Sequence, residues 1–455
     1  MIQFFRKIIS TIRQLFCFLR PRYTLRDVFG CPEQPPQDCP TFLQRNVHQD
    51  FQNALSSYNI IVVYGESRQG KTWTIEKYCS NQIRIGCNSS MDIQQIKKDM
   101  LHAINVEIRE IEHSVTEEYS AGTNAYTEVG TSLLSKAGGN ATTAVAHSET
   151  IKTTYPTVSI ESTEEFLDAV ETGSRNKVFV FDNFHYLAPQ VQQEFCSLLK
   201  EFNYRGIRII IVGVWKESSR ITALAPDLVN RCAHIDIGSW SEDELQQVVE
   251  LGEKALNVKI SDEIIALFKR CCANNIGIFK DFLQKFCQAN RVYETQKLCV
   301  HLKDENTAKS AADMIVREAY SPLRDRLKNL ATPQRARKDS KHVRQKIVAA
   351  ILKLIIQMDN HSTQSGLNAA DIQIEVNRIC KQKGQSVIPS SNIIQELGNL
   401  HTREENRATS QNFIPLFYFD KSNRKILVIE PTIYVIKEYN DSLLNDILNE
   451  IVAQI

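Results

Sequence analysis

The sequence predicts an α/β protein with a parallel sheet, then a small helical unit, then three helices and a β-hairpin. Three observations carry this. Residues 60–64, IIVVY, form an apolar run that passes through a glycine-rich turn into a helical pattern. Residues 178–182, VFVFD, and 207–212, IRIIIV, are two more such runs with a helical pattern between them. Short buried strands alternating with helices build a parallel sheet through crossover connections. Beyond residue 340, three helical patterns precede two strand-like runs joined by the turn KSNR.

A chain of 455 residues has room for two to four domains, and 42% hydrophobic content supplies a sizeable core. The net charge of +1 excludes binding of nucleic acid or membrane by bulk charge, so either must use local patches. The 12 cysteines form no C-x-x-C pair and no Cys/His cluster at zinc spacing, so no zinc-type site is expected. Scattered thiols of this kind fit a cytoplasmic protein.

Residues 1–23 read as a basic amphipathic helix. Arg6, Lys7 and Arg13 interrupt an apolar surface of Ile, Leu and Phe, and no acid is present. These charges exclude a transmembrane span, and no small-residue cleavage site follows as in a signal peptide. Two readings stay open: a helix docked on protein, or peripheral membrane contact through residues 1–22. Residues 24–40, punctuated by Pro32, Pro35, Pro36 and Pro40, read as a linker. Residues 41–57 turn helical, and Arg45 is either a contact to a bound base or a surface arginine.

Gly65-Glu66-Ser67-Arg68-Gln69-Gly70-Lys71-Thr72 matches G-x-x-x-x-G-K-[ST] in full. The glycines let successive backbone N–H groups point inward at phosphates. Lys71 supplies a point charge to the β- and γ-phosphates, and the Thr72 hydroxyl suits a Mg²⁺ position. The helix starting there adds its positive end. Gly65 to Thr72, with Trp73, are the candidate ATP-binding residues.

Residues 82–87 read as a second strand and 92–107 as a helix. Residues 117–155 are rich in Thr, Ala, Gly and Ser and carry too little apolar bulk for a core. They read as a surface insertion or as a partner-binding hairpin about Gly138-Gly139. Asp182 ends an apolar strand, where ligands of doubly wound sheets collect, and with Thr72 is the candidate Mg²⁺ holder. Asn183 follows; an amide takes no proton, so slow hydrolysis or another base is expected. His185 reads as a γ-phosphate contact or as packing. The strand 207–212 runs into Gly213, so no polar phosphate sensor stands clearly at its end. Arg220 and Arg231 are the arginines that follow.

Strand–GESRQGKT–helix, VFVFDN, IRIIIVG and DLVNR, in that order, resemble the AAA+ ATPases, and in particular the initiator-like, origin-recognition group. FDNFHYL also resembles signal-transducing switch ATPases. The resemblance spans residues 41–290. It implies an AAA+ nucleotide-binding core over 41–238, a helical lid over 239–300, and ATP with Mg²⁺ as ligands. Lys71, Asp182, Asn183 and Arg231 would form the catalytic set. Arg231 would act on a neighbour's nucleotide, which implies a homo-oligomer. A Ser-x-x-Glu cap at Ser241 opens the lid. At its second-sensor position the family shows arginine; this chain has Lys280, with Arg270 as an alternative.

Residues 301–340 read as a charged helical linker. Nine basic residues stand between Arg324 and Lys346 (among them Arg335, Arg337, Lys338 and Lys341), suiting either a phosphate backbone or solvent. Residues 341–455 resemble a winged helix, with helices at 343–358, 368–380 and 390–400, and a hairpin as the wing. Ser391, Asn392, Gln395 and Asn399, with Lys421 and Arg424 at the wing tip, are the candidate contacts to double-stranded DNA. The third helix has no arginine within 390–400 and carries Glu396, which disfavours base readout and leaves an effector protein as the alternative partner. Two functions follow. One is a slowly hydrolysing ATP switch, whose setting in phage defence or mobile-element biology rests on the resemblance. The other is an ATP-dependent DNA-binding regulator or loader.

Overall fold

The computed structural model describes residues 21–32, 38–108, 157–214, 221, 224, 226–238, 240–332, 342–411, 415–421 and 423–455. The amphipathic segment up to residue 20, the insertion 117–155 and Trp215 to Arg220 lie outside the described residues.

The central sheet has five parallel strands: β1 (Ile60–Tyr64), β2 (Gln82–Gly86), β5 (Val178–Asp182), β6 (Arg208–Val212) and β7 (Cys232–Asp236). Their order is β2-β5-β6-β1-β7, so β6 separates the strand carrying the glycine-rich turn from the strand ending in Asp182. Every residue of β1 is buried, as a strand covered on both faces requires. Ile60, Val62, Phe179, Phe181, Ile209 and Ile211 pack on one face with Phe166, Phe195 and Phe202. Ile61, Val63, Val180, Ile210 and Val212 pack on the other with Phe51 and Ile75. Two two-residue strands, β3 (Glu107–Ile108) and β4 (Thr157–Val158), pair in parallel at the two ends of the segment that contains the insertion.

The expected linker 24–40 holds a helix, α1 (Leu25–Phe29), closed by a Thr24–Asp27 capping box. Leu25, Val28 and Phe29 are buried in the lid, and Tyr23 donates its N–H to Thr295 Oγ1 at 2.9 Å. The prolines from Pro32 to Pro40 all lie C-terminal to this helix and leave it intact. Phe29 rests on Gly252; a Cβ there would lie 2.2 Å from the Phe29 ring. Gly252→Ala is therefore expected to destabilise the fold by about 1–3 kcal/mol, read as a lower urea midpoint. An unchanged midpoint would contradict this packing. Helix α2 (Asn46–Ser57) leads into β1 and buries Phe51 and Ala54.

The lid comprises Glu242–Leu256, Asp262–Cys271 and Ile276–Ala289. Ser241 forms the expected capping box with Glu244. Strands β8 (Val258–Ile260) and β9 (Val300–Leu302) pair in parallel beside these helices. The segment read as a linker is largely one helix, Glu305–Ala331, with a buried stripe that includes Ala308, Ala312, Val316, Leu323 and Leu327. Three of its basic residues are engaged within the chain. Arg324 and Lys328 pair with Glu450 at 2.7 and 2.9 Å, and Arg326 pairs with Glu430 at 3.0 Å. Arg344 pairs with Glu396 at 2.5 Å, and Lys346 is buried. Arg335, Arg337, Lys338 and Lys341, the other basic residues of this stretch, lie outside the described residues.

The C-terminal unit is a winged helix. Helices Val343–Gln357, Ala369–Gln382 and Ser390–Gln411 are joined by strand β10 (Leu367–Asn368) and the hairpin β11 (Phe417–Asp420) and β12 (Lys425–Val428). The sheet order is β10-β12-β11, all antiparallel. The third helix runs past the expected end at Leu400, and buried Glu404 accepts the Leu416 N–H at 2.9 Å. The final helix, Ser442–Ala453, buries Leu444, Ile447 and Ile451. One apolar core runs continuously through α1, the lid, the long helix and the winged helix. No helix among the described residues is long and apolar enough to cross a membrane.

Candidate nucleotide-binding site

The turn after β1 opens with Gly65 at φ 134° and closes with Gly70 at φ 97°, both in the region that favours glycine. Gly70 caps helix α3 (Lys71–Tyr78), whose first N–H groups lack helical partners. A cavity of about 450 Å³ opens here, lined by Ser67 to Thr74, Asp182 and Asn183. Lys71 is buried, and its Nζ donates to Gly65 O at 2.9 Å and Glu66 O at 2.6 Å. Burial pushes its pKa down to about 8, against the pull of Asp182, Glu66 and Asp236. A buried ammonium held only by backbone carbonyls is poised for a stronger anionic partner.

Asp182 stands at the end of β5, and its Oδ1 accepts the Asn183 N–H at 2.9 Å. Asn183 adopts φ 58°, a left-handed conformation that asparagine tolerates. Thr72 and Asp182 line one cavity with oxygen donors alone, a set that fits Mg²⁺ completed by phosphate and water. Among the described residues no cluster of three or more His, Cys, Asp or Glu could hold a metal.

The other end of the cavity is aromatic, with Phe42, His48, Trp73 and Trp240 among its walls. Phe42 stacks on His48 at 5.2 Å, and Trp73 Nε1 donates to Pro32 O at 3.0 Å. Burial, with nearby Arg45, lowers the His48 pKa to about 4, so its ring is neutral at pH 7. Arg45 itself lies over Trp240 at 4.5 Å and bonds Glu244 and Ile237 O, both at 2.8 Å. It thus joins core to lid and is not among the cavity walls. Lys280 reaches the aromatic end: its Nζ donates to Thr41 Oγ1 at 2.8 Å and lies 4.6 Å from the Trp73 ring centre. Burial lowers its pKa. Arg270 is exposed on its helix and does not line the cavity.

The lid closes directly on the glycine-rich turn. Gly277 N donates to Arg68 O at 3.1 Å, Asn275 Nδ2 to Ser67 O at 2.9 Å, and Trp240 Nε1 to Gln69 O at 3.3 Å. Arg68 also pairs with Asp281 at 2.6 Å. A Cβ on Gly277 would lie 2.6 Å from Arg68 Cβ and 2.9 Å from its carbonyl oxygen. Gly277→Ala is expected to push the lid off the turn at a cost of about 1–3 kcal/mol, seen as faster amide exchange over 274–281. Unchanged exchange there would contradict the contact.

The winged helix also reaches this region. The 3₁₀ turn Phe184–Tyr186, which follows Asp182, contacts the third winged-helix segment. The His185 ring lies 4.1 Å from that of Tyr186, tilted by 48°, and does not line the cavity. A second cleft, about 620 Å³, separates Glu66 and Asp236 from Asp420, Asn423 and Lys425 of the wing. Ser391, Asn392, Gln395 and Asn399 share an exposed face, and Lys421 and Arg424 are exposed at the wing tip. Arg231 is exposed at the turn before β7 and lies outside this chain's own cavity. Sequence reasoning passed over Arg84, a cavity wall on β2; the signal was a charge inside the otherwise strand-like QIRIG.

No family model and no curated protein sequence matches this chain. Solved structures resemble it in chain course. The Walker-type ATPase of Pyrococcus abyssi is 11% identical, with 87% of this chain and 95% of that chain covered, at a TM-score of 0.49. ORC2 of Aeropyrum pernix, solved as ADPNP–ADP complexes, is 11% identical over 90% and 94%, at 0.45. ORC1 of Aeropyrum pernix, solved in complex with DNA, is 11% identical over 95% and 98%, at 0.39. These structures share the chain course at 11% identity; the sheet order, glycine-rich turn, lid and winged helix described above are this chain's own.

Proposed function

We propose that this chain is an ATP-binding AAA+ switch with slow Mg²⁺-dependent hydrolysis. The observation that carries the reading is the cavity itself. Its floor is Ser67–Thr72 of the glycine-rich turn, and its roof is Ile276 and Gly277 of the lid, whose Gly277 N and neighbouring Asn275 Nδ2 bond that turn. A nucleotide seated there touches both parts, so its phosphates bias how core and lid sit together. Lys71 exchanges its carbonyl partners for β- and γ-phosphate oxygens. Thr72 and Asp182 would hold Mg²⁺, which when bound would supply neutralisation of the phosphate charge. Asn183 orients water through its amide but takes no proton, so turnover stays low. The aromatic end encloses the base between Phe42, Trp73 and Trp240.

Movement of the Asp182–Tyr186 segment passes to the winged helix it touches, and Arg231 reaches a neighbouring copy in a homo-oligomer. The exposed polar face of the third helix and the cations of the wing tip favour a second reading, in which the ATPase assembles the chain on double-stranded DNA. Phosphate release and light scattering, with and without duplex DNA, separate the two. Nucleotide-dependent oligomers with turnover unaffected by DNA support the switch. DNA-stimulated turnover supports the loader, and turnover as fast as a motor's contradicts the slow switch.

A further inference from the structure

We propose that Arg84 is the residue that distinguishes ATP from ADP, by taking the terminal phosphate from within the same chain; this rests on the nucleotide reading above. Strand β2 lies at the sheet edge beside β5, with Arg84 opposite Val180 and Gly86 opposite Asp182. Side chains two apart share a face, so Arg84 projects on the side where Val180 packs with Ile75 of the α3 helix. Its guanidinium therefore enters the cavity at the end occupied by Thr72, Asp182 and Asn183.

The guanidinium is held by one ion pair and one long contact. Nη2 lies 2.9 Å from Glu76 Oε1 and Nη1 lies 3.7 Å from Asp182 Oδ2. Nε and Nη2 are buried yet neither has an aligned hydrogen-bond acceptor. A planar donor fork in that condition suits a phosphate, which can accept two of its N–H groups at once. A phosphate within hydrogen-bond reach would be a stronger acceptor for Nη1 than Asp182 at 3.7 Å.

The other described cations around the cavity are directed elsewhere. Lys280 serves the aromatic end and Arg68 is tied to Asp281. Lys71 reaches β- and γ-oxygens alike and cannot by itself report loss of the last phosphate. Among the described residues the end of β6 offers only Val212, Gly213 and Val214. Arg84 is left as the cation whose best partner exists in ATP and is missing in ADP. The plain alternative is that Arg84 only balances the charges of Glu76 and Asp182, which would affect both nucleotides equally.

Calorimetric titration of the full chain with ATP and with ADP, each with Mg²⁺, tests this in wild type, Arg84→Gln and Arg84→Lys. Loss of a charge-assisted pair to the terminal phosphate lowers ATP affinity about 10- to 100-fold in Arg84→Gln, with ADP affinity within ~3-fold of wild type. Arg84→Lys keeps the charge without the fork and falls between; it also decides the matter should Arg84→Gln fail to fold. Equal losses for ATP and ADP, or none, overturn the role of Arg84. A wild-type chain that binds neither nucleotide overturns the underlying reading as well, and the two failures are thereby distinguishable.

Discussion

Lys71→Met is expected to lower nucleotide affinity at least ~100-fold while leaving the nucleotide-free protein no less stable than wild type. The two effects share one cause. In the folded chain Lys71 is buried, and its pKa sits near 8 instead of 10.5 because burial opposes the charge. That shift amounts to roughly 3 kcal/mol of strain at neutral pH, as an order of magnitude. Its hydrogen bonds to Gly65 O and Glu66 O return part of it. Methionine keeps the length and removes the buried charge, so the strain goes, and with it the partner for the phosphates. The sign with pH is set by the same shift. Between about pH 8 and 10.5 the unfolded chain holds the proton that folded Lys71 has released, so wild-type stability gains with rising pH in that window. Lys71→Met lacks this gain. Unfolding midpoints of both proteins across roughly pH 7–10.5 check it, and parallel profiles would contradict the buried-ammonium account.

Asp182→Asn is expected to reduce Mg²⁺-dependent phosphate release by ~100-fold or more, because its carboxylate is the charged holder of the metal. Binding of ATP without Mg²⁺ should survive and even tighten, since a negative charge beside the phosphates is removed. The amide preserves an oxygen that accepts the Asn183 N–H, so the left-handed turn at Asn183 keeps its support. Titrations with and without Mg²⁺ beside phosphate release make the comparison. Equal loss of ATP binding in both conditions would show that Asp182 acts on folding and not on the metal.

The parallel strands were legible because a strand buried on both faces must be apolar throughout, and residues 60–64, 178–181 and 209–212 are. The glycine-rich turn was legible because its positive-φ positions demand glycine at Gly65 and Gly70. The order of three helices and a hairpin likewise pointed to the winged helix. What escaped depends on contacts remote in sequence. Glu450 neutralises Arg324 from 126 positions away. The Lys280–Thr41 bond, 239 positions apart, places that lysine at the aromatic end instead of the phosphates. Arg84 reads as an oddity in a strand until β2 is known to lie beside β5. The α1 helix was hidden by the prolines after it, although its Thr24–Asp27 box was present in the sequence.

The most direct measurement is calorimetric titration of the purified full chain with ATP and Mg²⁺ from about pH 7 to about pH 9.5. One nucleotide per chain is expected, with affinity steady below about pH 8 and falling above it as Lys71 of the nucleotide-free chain loses its proton. An absence of binding, or binding that Lys71→Met leaves intact, would contradict the account at its centre.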